Sequence, residues 1–259
     1  MILALAAVAC LCAPASARLV IQPASLFVNF DGPRPKGTFT LINAGEESVR
    51  YRARAIHFRL SERGTLRIAE PDDLSLARWV RFNPTEFEIP PNGKRVIRYT
   101  ILPPKDLQVG EYWGAIEFEP LQGRTTRYDD QKGRVFDITF ITSALAPIFG
   151  TKGAFEHKVE VGAPSLELQE GSPVLRLTMT NAGLGRVHCR GEFQLVDGQG
   201  REVAGGKLDR VTILRGGKRT LTAPLGPELS SGDYTIKLRV DVEELEQPLT
   251  KELVVALKR

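Results

Sequence analysis

The chain has little to catalyse with. It carries 3 histidines in 259 residues. His57, His157 and His188 stand apart, none at a metal-ligand spacing from a cysteine or a paired carboxylate. No nucleophile elbow, phosphate-binding loop or dinucleotide fingerprint occurs. The acidic pairs Asp72-Asp73 and Asp129-Asp130 lack the ligand pattern of a calcium loop and read as solvated turns. The expectation is a protein that is not an enzyme, with no catalytic, cofactor-binding or metal residues.

Cysteine is scarce as well, at 3 residues. Cys10 and Cys12 fall in an almost wholly apolar segment, Met1 to Ala17, that ends in Ala15-Ser16-Ala17. That ending is an A-x-A cleavage pattern. The segment is too short to span a bilayer once its Pro14 end is discounted, and no later segment would anchor the chain. Residues 1–17 are therefore expected to be a signal peptide, with export to the periplasm and Arg18 as the first mature residue. A lipid on Cys10 is the alternative, which Ala7-Val8-Ala9 fits poorly. Export would leave Cys189 alone, so no intramolecular disulfide is available. A lone strand cysteine reads as a small buried apolar residue. A mature chain of about 240 residues, split in two, still gives domains large enough to be held by their cores.

Charge of one sign is not in excess. The net charge of +4 and pI near 9.0 are mild, and neither a long basic run nor an arginine-rich helix appears, so nucleic acid is not an expected partner. Arg50, Arg52 and Arg54 alternate with Tyr51, Ala53 and Ala55. That spacing puts the arginines on a solvated sheet face and their neighbours inward.

What is present is a repeat. Asn43-Ala44-Gly45 is followed by Val49 and Arg52, and Asn181-Ala182-Gly183 by Val187 and Arg190 at the same offsets. Gly93-Lys94-Arg95 is echoed by Gly217-Lys218-Arg219, and Gly110-Glu111-Tyr112 by Gly232-Asp233-Tyr234. The order is kept, so the chain reads as two domains of one topology. Asn-Ala-Gly between β runs is expected to turn the chain through residues that tolerate positive φ. Tyr112 and Tyr234 resemble the tyrosine corner of immunoglobulin-like sandwiches, a structural feature.

The periodicity is almost all strand. In the first copy strands are expected near 19–30 (bent or at an edge because of Pro23), 37–43, 48–60, 64–69, 79–82, 94–102, 110–119 and 134–148. One helical turn is expected over 72–77. In the second copy they fall near 156–162, 173–180, 187–196, 201–208, 211–222, 232–242 and 249–257. The fold class is all-β, with two tandem immunoglobulin-like β-sandwich domains over 18–149 and 154–259, joined by a hinge at 150–153.

The copies differ most at the end of the first. Residues 122–133 are polar, without periodicity, and read as a mobile hairpin loop. A long run from Val135 to Ile148 follows, with Phe136, Ile138 and Phe140 on one side and Asp137 and Thr139 on the other. An apolar strand beside such a loop is a template for adding a strand from another chain.

These features together resemble the periplasmic chaperones of pilus assembly, the PapD-like proteins. The resemblance is carried by the apolar N-terminal segment, the opening run through Phe30-Asp31-Gly32, and Thr40-Leu41-Ile42-Asn43-Ala44-Gly45. Trp79-Val80, Ile89-Pro90-Pro91-Asn92-Gly93, Arg98, Leu102-Pro103-Pro104 and the closing strand of the first domain continue it. It implies a periplasmic chaperone for pilus or fimbrial subunits that donates the last strand of domain one. Phe136, Ile138 and Phe140 would be the donors, with Thr142 and Leu145 further along the partner-binding strand. It further implies protein subunits of a pilus or envelope assembly as partners, with an outer-membrane usher beside them. The family grips the subunit's C-terminal carboxylate with a basic pair in the interdomain cleft. Here Phe27 or a neighbour and Leu145 stand at those places, so the clamp is either missing or rebuilt from Arg18, Lys152 or Arg54. The Gly110-Glu111-Tyr112-Trp113-Gly114 strand also departs from the family. It looks like extracellular immunoglobulin-like proteins that bind cell-surface components, so a secreted or envelope adhesive module without an assembly role is the alternative function.

Overall fold

The computed structural model describes residues 19–129, 134–226 and 229–258. The expected signal peptide, with Cys10, Cys12, the cleavage site and Arg18, lies outside the described residues, as do Asp130 and the rest of 130–133. Among the described residues no helix is long and apolar enough to cross a membrane.

The first copy contributes β1 (Leu19–Gln22), β2 (Leu26–Asn29), β3 (Lys36–Asn43), β4 (Val49–Leu60), β5 (Leu66–Ala69), β6 (Val80–Asn83), β7 (Glu86–Ile89), β8 (Lys94–Ile101), β9 (Gly110–Pro120), β10 (Arg124–Asp129), β11 (Val135–Phe140) and β12 (Ala144–Lys152). The second contributes β13 (Val159–Val161), β14 (Ser165–Gln169), β15 (Ser172–Asn181), β16 (Val187–Val196), β17 (Glu202–Ile213), β18 (Lys218–Pro224), β19 (Gly232–Val242) and β20 (Leu249–Leu257).

In the first copy one sheet runs β1-β3-β8-β6 and the other β2-β12-β9-β4-β5, with β7 also on β4. Their inner faces meet in one core, where Phe39, Leu41, Ile97 and Ile101 face Ile116, Phe118, Ala146 and Ile148. All eight side chains are fully removed from water, each worth roughly 1–3 kcal/mol by burial. The second copy repeats the scheme with β13-β15-β14, β18 on β15, against β17-β16-β19-β20. The chain is thus two β-sandwiches, with strand alternation setting each core.

The repeated tripeptides are wired alike. The Asn43 N–H donates to Gly93 O at 3.0 Å, and Asn181 N–H to Gly217 O at 3.0 Å. Asn43 Nδ2 donates to Glu47 O, Ile89 O and Pro90 O at 2.7, 3.1 and 3.2 Å. Asn181 Nδ2 donates to Gly185 O and Ile213 O at 2.8 and 2.9 Å. Each Oδ1 takes the N–H two residues on, from Gly45 and Gly183. The first two signposts are therefore one buried corner, in which an asparagine side chain substitutes for a missing stretch of ladder. This corrects the expected positive-φ turn: among the described residues the left-handed non-glycine ones are Asn92 and Glu170, not these asparagines. The third signpost is the tyrosine corner. Tyr112 Oη donates to Gln108 O at 2.9 Å and Tyr234 Oη to Ser230 O at 2.8 Å.

Elsewhere the strand expectations need adjustment. The 19–30 run breaks at Pro23 into β1, on the edge of one sheet, and β2, on the edge of the other and parallel to β12. Residues 72–77 form turns rather than a helical turn. Asp72 Oδ1 accepts the Leu74 N–H at 2.9 Å and Ser75 Oγ the Ala77 N–H at 3.2 Å, local bonds that compete with helix. That segment instead extends the sheet, with Trp113 N–H donating to Leu74 O and Leu76 N–H to Trp113 O. The runs 201–208 and 211–222 are divided differently. β17 is continuous, its Asp209-Arg210 surplus taken up as a bulge opposite Cys189–Gly191, because Leu208 and Val211 must both point into the core. Residues 150–152, read as hinge, are strand: β12 runs to Lys152, with Gly150 so close to the Phe30 ring that a Cβ would lie 2.3 Å from it.

Candidate functional site

The expected single strand over 134–148 is two strands, and this locates the site. β12 is built into the first sandwich, antiparallel to β9 and parallel to β2. β11 leaves the sandwich and pairs with β10 in a separate two-stranded sheet. The polar stretch read as a loop therefore holds a strand. Its pairing with β11 sets an order that the sequence pattern alone does not announce, because β10 has no apolar alternation.

All six residues of β11 are exposed. Phe136, Ile138 and Phe140 keep 46%, 42% and 58% of their surface in contact with water. The possibility that they belong to the domain's own core is thereby removed. Tyr128 sits directly across from Phe136 and is itself exposed, so β10 adds an aromatic to the same face, while Thr126 stands across from Ile138 and Arg124 across from Phe140. The opposite face is more polar: Arg127 pairs in register with Asp137, Thr125 Oγ1 lies 2.8 Å from Thr139 Oγ1, and Val135 is exposed at its end. An apolar face of this kind on an isolated hairpin is unusual for a finished surface.

The other strand residues part company with these three. Thr142 is exposed in the three-residue break between β11 and β12. Leu145 is half-buried on β12 and packs with Ile56, Phe58, Trp113 and Phe149 on the outer face of the β9 sheet.

That outer face continues into the cleft between the sandwiches. Leu214 of the second copy packs onto it. Glu111 N–H donates to Leu184 O at 2.7 Å and Arg186 N–H to Glu111 Oε2 at 2.8 Å. The Arg186 guanidinium also bonds the Glu111 carboxylate. It lies 4.2 Å from the Phe149 ring centroid and 4.9 Å from that of Phe27, two rings that stack at 5.8 Å. Burial, the largest cause, pushes the Glu111 carboxyl above its ordinary range, against the pull of the Arg186 charge and N–H. A second tie joins Thr220 N–H to Glu62 O at 2.8 Å.

Arg186 is thus one cation of the cleft and Arg215, whose guanidinium lies 5.9 Å from the Tyr112 ring centroid, is another; both belong to the second copy, and the sequence named neither. Lys152 is held by Asp31 at 2.8 Å, which with the Gly153 N–H keeps that carboxyl below its usual range. Arg54 is held by the buried Glu117. Arg50 and Arg52 pair with Glu86 on the solvated face, as their alternation predicts. Tyr112 and Trp113, which carried the likeness to surface-binding modules, are buried, and Trp113 Nε1 donates to Phe58 O at 2.7 Å. They are core residues.

Cys189 is buried in the second core, and burial pushes its thiol up to about 12. His57 is fully buried beside Trp113. His188, Glu243 and Glu244 come within 4.8 Å of one another, a cluster that sequence spacing did not reveal. Arg210 grips Glu243 at 2.6 and 2.8 Å, and Glu244 takes the His188 N–H and ring Nδ1 at 2.9 and 2.6 Å. Each carboxylate oxygen of the cluster thus has a partner within the protein.

No protein-family model matches the chain, and no curated protein does. Solved structures of similar shape include the YadV chaperone, at 9% identity, covering 92% of this chain and 99% of that one, with a TM-score of 0.46. A chaperone–tip adhesin complex of CFA/I fimbriae biogenesis has 12% identity, 91% and 98% coverage and a TM-score of 0.48. The E. coli chaperone DraB has 15% identity, 91% and 98% coverage and a TM-score of 0.44.

Proposed function

We propose that this protein is an exported, periplasmic chaperone-like protein for the subunits of a pilus or related envelope assembly, and that it caps them with β11. The observation that carries the proposal is the exposure of Phe136, Ile138 and Phe140 on a strand that belongs to neither sandwich. A partner with an open apolar groove would cover them, gaining roughly 1–3 kcal/mol per side chain. The main-chain groups along β11 would fix register and direction. Thr142 would extend the contact. Leu145 would act from beneath, by holding β12 in place. The two domains fall on either side of the Lys152–Gly153 junction and meet through Leu214 packing and the contacts around Glu111 and Arg186.

The test is Ile138→Asp with Phe140→Asp. Because both side chains are solvent-facing, the variant should melt with wild type, within about 0.5 kcal/mol. It should lose capture of a pilus-subunit domain co-expressed in the periplasm. A folded variant that still captures the subunit would refute strand donation and favour the adhesive-module alternative. Intact Met1 on protein recovered from the cytoplasm would refute export.

A further inference from the structure

One sheet of the first sandwich is charged unlike its counterpart in the second. In β1, β3, β8 and β6, alternate side chains such as Phe39, Leu41, Ile97 and Val80 turn into the core. The others form the outer face. Lys36 and Arg81 flank Thr100 in one row across it, Arg98 stands between Thr38 and Asn83 in the next, and Lys94 stands beside Ile42 in the last. Every charged side chain at these outward strand positions is a cation, and all four cations are exposed.

The four charges are uncompensated. Among the described residues none of them forms an ion pair, whereas on the opposite sheet Arg50 and Arg52 pair with Glu86 and Arg54 with Glu117. Arg81 spends Nη1 on the carbonyls of Arg78 and Val80, which carry no charge. The equivalent sheet of the second copy is balanced. There Arg176 pairs with Glu167 at 3.4 Å, and Lys218 shares a row with Glu160 across Thr180.

We infer that this face is a platform for an anionic lipid surface. Strand geometry sets neighbouring cations roughly 8–13 Å apart at their Cα atoms. That spread suits an array of phosphate headgroups better than one small anion. The outward strand positions include no aromatic side chain to anchor a protein partner, whereas attraction to a charged leaflet needs only clustered cations. The platform does not depend on capping. β9 and β12, which lead into and out of the β10–β11 hairpin, belong to the other sheet. A leaflet under the basic face would hold the chain while the hairpin stays free.

Vesicle sedimentation of the purified full chain tests this. Vesicles of phosphatidylglycerol mixed equally with phosphatidylcholine should bind at least about tenfold tighter than phosphatidylcholine alone, and the difference should shrink as salt rises to about 0.5 M. Each cation near a charged leaflet contributes about fivefold, so Lys36→Gln with Arg98→Gln should weaken binding about 25-fold. Lys36→Arg with Arg98→Lys keeps the charges and should bind within about twofold of wild type. Arg50→Gln with Arg52→Gln changes net charge by the same amount on the other sheet and should also stay within about twofold. Ile138→Ser with Phe140→Ser should bind vesicles as wild type does. Equal binding to the two kinds of vesicle would overturn the inference and leave an acidic protein as the occupant. An equal loss in the Arg50/Arg52 variant would reduce the effect to net charge, and no loss in the Lys36/Arg98 glutamine variant would remove the face from it. Loss in the Ile138/Phe140 variant would show that the hairpin, not this face, meets the lipid.

Discussion

β9 and β19 occupy the same place in their two sandwiches and open on the same motif, yet they are buried differently. β9 is buried at every position from Gly110 to Phe118, whereas β19 alternates buried and exposed along its length. The inner faces explain nothing, since both point into a core. The outer face of β9 is covered by Leu145, Phe149 and Leu214 around Trp113 and Ala115, and its first residues are bonded by the second domain. The outer face of β19 carries Lys237, Arg239 and Asp233 into solvent. The exits differ too. β19 reaches β20 through the short turn at 243–248, while β9 reaches β12 only by way of the β10–β11 hairpin. What the copies share is scaffold, and what the first copy adds is surface for contact.

If the shared part is scaffold, breaking it should harm both copies alike. Asn43 and Asn181 are the strongest test, being almost wholly buried and each bonded to carbonyls from separate segments. Replacing either with alanine strands those carbonyls and the Gly45 or Gly183 N–H, at a cost of about 3 kcal/mol. Urea unfolding of N43A and N181A should show similar losses, each assigned to its own domain. A loss in one copy alone would mean that the corner is structural in that copy and decorative in the other. The tyrosine corners should give a smaller, equally matched effect. Y112F and Y234F each remove one hydroxyl bond to a carbonyl, about 1 kcal/mol apiece.

The repeat was legible because the corners are built from side-chain types that do one job. Asparagine spans three carbonyls (Asn43) or two (Asn181) and an amide, and tyrosine reaches back four residues to Gln108 or Ser230. Core alternation was legible for the same reason, as in β3, β8 and β16. The exposed face of β11 could be read from Phe136, Ile138 and Phe140, but not its break from β12. Residues 141–143 contain no glycine or proline to mark it, and β12 leaves β9 after the Ala144↔Phe118 pair although β9 runs on to Pro120 along β4. β10 was missed because a strand without an apolar face has no period to show. The cleft was missed for a different reason: Glu111 and Arg186 are 75 residues apart, and nothing local in either segment names the other.

The finest distinction between the copies lies one residue before each tyrosine. Glu111 is buried under the second domain against Arg186, while Asp233, its counterpart, is exposed. Burial outweighs the Arg186 charge and raises the Glu111 carboxyl above its ordinary value of 4.5. A raised carboxyl means that the folded state holds its proton more tightly than the unfolded chain. Its contribution to stability is therefore full below the ordinary value and is lost as pH rises through the folded one. E111Q keeps an acceptor for Arg186 and has no proton to lose. Melting curves of wild type and E111Q should run closest at the acid end, and wild type should lose ground to E111Q as pH climbs from about 4 towards neutrality. D233N should stay within about 0.5 kcal/mol of wild type, as surface substitutions do. Wild type gaining on E111Q over the same climb would show that Arg186 outweighs burial, and that the cleft is held by the ion pair rather than by the packing around it.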